Sequence, residues 1–127
     1  KTKKLINCVN AALDASNGHV VCVEKDDLLR YQISYKVRLL AASNYSIEGA
    51  DAFYGFLSGL CAGDHDITDI LVDATLKIVG RDYDVVADFF KKVSNLSKLT
   101  GTDFTFTVST EKSNLPAAIF EYCEEIC

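Results

Sequence analysis

Residues 60–73, LCAGDHDITDILVD, gather Cys61, Asp64, His65, Asp66, Asp69 and Asp73 into one short stretch. A thiol, an imidazole and carboxylates are the groups that hold a divalent metal, or that pair as nucleophile, base and orienting acid. For a metal, Cys61 and His65 stand four apart, as do Cys123 and Cys127 in the last segment. Three thiolates with one imidazole are an accepted structural zinc set, so zinc on Cys61, His65, Cys123 and Cys127 is the alternative to no cofactor. For nucleophilic chemistry, Cys61 would attack, His65 would take its proton, and Asp64 or Asp66 would orient the ring.

Against both stands Gly63, which interrupts the helical spacing that would align Cys61 with His65. Cysteine is also among the most commonly buried side chains, and catalytic dyads are normally assembled from separate segments. Residues 64–75 fail as an EF-hand loop, because Asp69 stands where the turn glycine is required and Thr75 where a bidentate glutamate is required. The structural alternative assigns most of the acid to a helix start, with Asp66 as N-cap and Asp69 three residues on as a capping acid. His19, heading a hydrophobic run, reads as a strand-end residue.

Nothing else in the chain carries a catalytic signature. GxSxG, HExxH, GxGxxG, a phosphate loop ending in Gly-Lys and CxxC are all missing, which points away from an enzyme. The net charge is −5 over 127 residues, and it is unevenly placed: residues 1–50 sum to +2 and residues 51–90 to −6. Nucleic-acid binding is driven by cations that displace condensed counterions, so direct contact with DNA or RNA is not expected. An acidic face instead suits a protein partner that is basic or itself binds nucleic acid.

The elements that must position these groups follow from periodicity. Leu5, Cys8, Val9, Ala12 and Leu13 recur at helical spacing, ended by Asn17-Gly18. Tyr31, Ile33, Tyr35, Val37 and Leu39 alternate with Arg30, Gln32, Ser34, Lys36 and Arg38, the pattern of a half-buried strand. A strand at Val20–Val23 pairs with it as a hairpin through Lys25-Asp26-Asp27. Ser46 serves as the N-cap of a helix running to Cys61, whose small stripe of Ala52, Gly55, Ser58, Gly59 and Ala62 suits close internal packing. Residues 66–79 read as a largely buried helix, and Asp84–Leu99 as an amphipathic one with acids at its start and lysines at its end. Phe104, Phe106 and Val108 alternate as a further strand, and a last helix begins near Asn114 with Pro116 in its first turn.

The expected fold is therefore α+β in a single compact domain, 1–127. It has a small antiparallel sheet of three strands (19–24, 29–41 and 103–109), with five helices packed mainly on one face. No apolar run reaches the length of a membrane span. Five irregularly spaced cysteines point to reduced thiols and an intracellular setting, while the absence of methionine leaves a processed or secreted product open.

The function expected on this basis is a non-enzymatic protein-interaction module of the inhibitor, immunity, or viral and phage accessory or assembly type. Its surfaces would be an acidic face of Asp64, Asp66, Asp69, Asp73, Asp84 and Asp88 and a polar strand face of Arg30, Lys36 and Arg38. The sequence leaves the partner's identity and the oligomeric state open.

Overall fold

A computed structural model describes residues 2–126. The first helix, α1 (Thr2–Ala15), buries Leu5 and Val9 and leads through Gly18 into β1 (His19–Glu24). Residues 25–37 cross to β2 (Arg38–Ala41), and a 3-10 turn at Ala42–Tyr45 precedes α2 (Ala50–Gly63). Then follow β3 (Ile67–Asp73), which ends in a cis Asp73–Ala74 peptide, and the short α3 (Thr75–Val79). The long α4 (Tyr83–Thr100) and β4 (Asp103–Phe106) come next, with 3-10 turns at Lys112–Asn114 and Ala117–Glu121.

The strands lie in the order β2-β1-β3-β4, and every neighbouring pair is parallel. This corrects the sequence expectation: the chain is α+β, but with a four-stranded all-parallel sheet and four α-helices rather than three antiparallel strands and five helices. The missing strand is β3, inside the stretch that reads as a helix over 66–79. Val21 and Val23 of β1 join Ile70 and Val72 of β3 in the core with α2, α3 and α4, while Val20, Cys22 and Leu71 join the core with α1. A strand buried on both faces has an apolar run with no alternation, which resembles a buried helix. A register shift between His19 and Val20 breaks the period further.

Parallel pairing follows from the connections. No hairpin joins β1 to β2; residues 25–37 cross the α1 face instead, where Leu29, Ile33 and Val37 join its core. The long strand expected at 29–41 shrinks to Arg38–Ala41, because Leu29, Ile33 and Val37 are buried at a spacing of four while Tyr31 and Tyr35 point outward. Backbone turns hold that arrangement: the amides of Gln32 and Ile33 both donate to the carbonyl of Leu29, and Val37 N–H donates to Ser34. The connections through α2 and α4 run over the opposite face, so helices cover both sides of the sheet. A change of face with a change of direction is what crossovers of one hand require.

Smaller corrections concern the ends. Ser46 closes a 3-10 turn in the left-handed region (φ 57°), and α2 begins after Gly49, so Ser46 is not its N-cap. The last helix is only a 3-10 turn that buries Ile119. The strand expected over 103–109 stops at Phe106. The amphipathic helix expected over 84–99 is present as α4; the structure adds its ends, with Asp82 capping it by accepting from the amides of Asp84 and Val85, and Gly101 closing it in the left-handed region. No helix among the described residues is long and apolar enough to cross a membrane.

Candidate functional surfaces

The acidic residues of the expected face fall in three places. Asp64 and Asp66 sit in the turn before β3, at the amino end of the sheet. Asp69 and Asp73 lie in register with Val20 and Glu24 of β1, on the face that α1 covers. Asp84 and Asp88 belong to α4 on the opposite face, in a shallow groove with Asp51, Val85, Phe89 and Lys92. There Lys92 offsets the acid, its Nζ 3.7 Å from Asp51 and 3.5 Å from Asp88.

At the amino end the turn brings together residues far apart in sequence. Gly18 lets β1 start against the 64–66 turn: the His19 amide donates to the Asp66 carbonyl at 2.7 Å, and a Cβ at Gly18 would collide with that same oxygen. The His19 side chain then reaches Asp64, with Nδ1 2.6 Å from Oδ2, and the other carboxylate oxygen of Asp64 accepts from the Asp66 amide at 2.9 Å. His19, Asp64 and Asp66 thus place one ligand atom each within 4.8 Å of one another.

The hydrogen bond to Asp64, followed by its negative charge and that of Asp66, raises the His19 pKa above 6.5. The hydrogen bond from His19, followed by that from the Asp66 amide, lowers Asp64 below 3.8. A raised histidine favours the fold below its unfolded value and loses that contribution as pH rises through the raised one. A lowered aspartate contributes above its unfolded value and loses the contribution as pH falls through the lowered one. The pair therefore supports the fold best between about 3.8 and 6.5.

His19 and Asp64 form one wall of a groove of about 510 Å³ whose other residues include Lys36 and Arg38, with Gly59 and Gly63 of α2 beside it. Added Cβ atoms at Gly55, Gly59 and Gly63 would meet nothing within 4 Å, so no neighbouring backbone packs against this stripe, and Gly59 and Gly63 leave the groove open. Among the described residues neither Lys36 nor Arg38 has an ion-pair partner. Arg30 pairs with Asp27. Next to Lys36 the crossover exposes Tyr31 (96%), Tyr35 (92%) and Leu28 (75%).

The cysteine chemistry looks different. Cys61 is buried with its sulfur 4.0 Å from the Thr102 hydroxyl, and His65 is exposed in the turn. Among the described residues, His19, Asp64 and Asp66 are the one group of three metal-ligating side chains that converge; Cys61, His65 and Cys123 do not form one, and Cys127 lies outside the described residues. Burial pushes the Cys123 thiol up, and Cys22, beneath α1, is pushed up to about 12 by burial and then by the charges of Glu24 and Asp73. Such thiols are poor nucleophiles near neutral pH.

Of the residues singled out from sequence, Asp64, Lys36 and Arg38 meet in one groove, and the Asp66 carboxylate lies within 4.8 Å of ligand atoms of His19 and Asp64. His19 was missed as a site residue. Its only local signal was the Asn17-Gly18 stop before it, since its partners lie 45 positions away. No protein-family model matches the chain, and no curated protein matches it.

Proposed function

We propose that this protein is a non-enzymatic interaction module that binds an acidic segment of another protein. The observation that carries the reading is the conjunction of an open groove containing Lys36 and Arg38, which have no ion-pair partner among the described residues, with a crossover that exposes Tyr31, Tyr35 and Leu28. Tyrosine and arginine are the side chains that dominate interface energies, because they combine large contact area with hydrogen bonding. Nearly complete exposure of two tyrosines next to buried Leu29, Ile33 and Val37 also costs nothing in core packing, so substitutions there separate binding from folding.

Charge selects the partner. Lys36 and Arg38 attract carboxylates, and the spread of the acidic residues over three places argues against a single acidic docking face for a basic partner. Free thiols at Cys8, Cys22, Cys61 and Cys123 suit a reducing, intracellular setting.

The test is capture of the partner from the native source by the wild-type chain, by Tyr31→Ser/Tyr35→Ser and by Lys36→Glu/Arg38→Glu. Both variants should keep the wild-type melting temperature. Loss of the tyrosine pair should weaken binding by about 2 kcal/mol or more. The charge reversal should act more strongly at low salt than at high salt, where screening shortens the reach of the field. Undiminished capture by both variants overturns the reading.

A further inference from the structure

We infer that His19, Asp64 and Asp66 form a binding site for a divalent transition-metal ion, with zinc as the representative case. The donor set is one imidazole nitrogen and two carboxylate oxygens, the mixture that suits borderline ions such as zinc, and it is assembled from two chain segments rather than one acidic run.

Backbone contacts fix the frame. The His19 amide is held by the Asp66 carbonyl, and only glycine at position 18 leaves room for that oxygen, so the imidazole and the 64–66 turn stay opposed. One oxygen of Asp64 is occupied by the Asp66 amide, which leaves the other, Oδ2, facing the ring. The Asp66 carboxylate completes a three-sided set. The groove beside it gives an ion access from solvent and leaves further coordination positions for water or a partner's group.

Charge agrees with this assignment. Two carboxylates offset the two positive charges of the ion, and a neutral imidazole adds the nitrogen. Binding exchanges the proton shared by Nδ1 and Asp64 for the metal: the nitrogen lone pair forms the bond, and any proton on it leaves to solvent. Zinc ligands in a tetrahedral set stand about 3.3 Å apart, from bond lengths near 2.0–2.1 Å. The 2.6 Å contact between His19 and Asp64 opens and the Asp66 oxygen closes in, movements that exposed side chains can make. The site stands whether or not the groove takes a protein, and it differs from the cysteine set suggested by spacing.

The experiment is titration of the full chain with zinc and, separately, with cobalt(II), kept under reducing conditions, followed by calorimetry and visible absorption. Wild type should bind one equivalent of zinc with a cobalt spectrum free of thiolate charge-transfer bands. His19→Gln, which retains a donor for Asp64 while removing the imidazole, should bind on the order of tenfold more weakly or worse. Asp66→Asn should do the same, and Cys61→Ser/Cys123→Ser should leave the site intact. Equal zinc affinity in His19→Gln and wild type, absence of binding in wild type, or a thiolate band that vanishes with the cysteines each overturns the assignment. Melting curves of His19→Gln and Asp66→Asn without metal separate lost ligands from lost fold.

Discussion

The two ends of the β1–β3 pair hold similar side chains to opposite effect. At the carboxyl end Glu24 and Asp73 are register partners, and the chain's own donors occupy them. Glu24, only 3% exposed, accepts from the amides of Leu28 and Leu29, and the Thr107 hydroxyl donates to Asp73 at 2.6 Å. At the amino end His19, Asp64 and Asp66 face solvent beside a groove. Ligands of open parallel sheets usually sit at the carboxyl ends where the chain changes direction, which here is between β1 and β3. That position is filled from within. A buried acid whose acceptors are met by its own loop is architecture; the amino-end set faces solvent, and it is there that we place the proposed binding.

The comparison breaks most sharply at Gly18. Gly18→Ala drives a Cβ into the Asp66 carbonyl and should destabilise the chain by about 3 kcal/mol, since backbone cannot move aside as a side chain can. A denaturant midpoint close to wild type would show that the two segments are not held together as described.

At the other end, Glu24→Ala leaves the buried Leu29 amide without its acceptor and should cost about 2 kcal/mol. Glu24→Gln sharpens the point through pH. Burial raises Glu24 above 4.5, against the lowering effect of its amide donors. The folded chain therefore holds this proton more tightly than the unfolded chain, so the stability contributed by the protonated group is complete below about 4.5 and is lost as pH rises through the raised value. The wild type should gain on Glu24→Gln as pH falls through that window; a constant difference between their unfolding curves would contradict the burial argument.

The smallest effect belongs to the amino end. Asp64→Asn removes an exposed partner and should leave the unfolding midpoint almost unchanged. It should nevertheless return the His19 titration, followed by NMR, toward 6.5. A His19 titration that does not move would deny the contact.

Much of this was legible in the sequence, and the rest was hidden for identifiable reasons. Helices α1 and α4 announce themselves through one apolar stripe and a second signal, the Asn17-Gly18 stop in one and the acids at the start with lysines at the end in the other. β1 and the start of β4 were equally plain. The failure at 66–79 came from two-sided burial, which erases the period of two in Ile70, Leu71 and Val72. The failure at 29–37 ran the other way: Tyr31, Ile33, Tyr35 and Val37 alternate in type, yet only Ile33 and Val37 are buried, because turns at Leu29 and Ser34 re-aim the chain. Missing β3 also hid the parallel pairing and the meeting of His19 with Asp64. Lys36, Arg38 and Asp64 were each chosen for charge, but their assembly around one groove depends on that topology.

The most direct measurement compares partner capture by Lys36→Glu/Arg38→Glu, at the amino-end groove, with capture by Asp84→Lys/Asp88→Lys, in the acidic groove of α4. The account predicts that the first variant loses the partner at low salt while the second retains it, both remaining folded by circular dichroism. Retention by the first with loss by the second would move the binding surface to the acid-rich side and contradict the account.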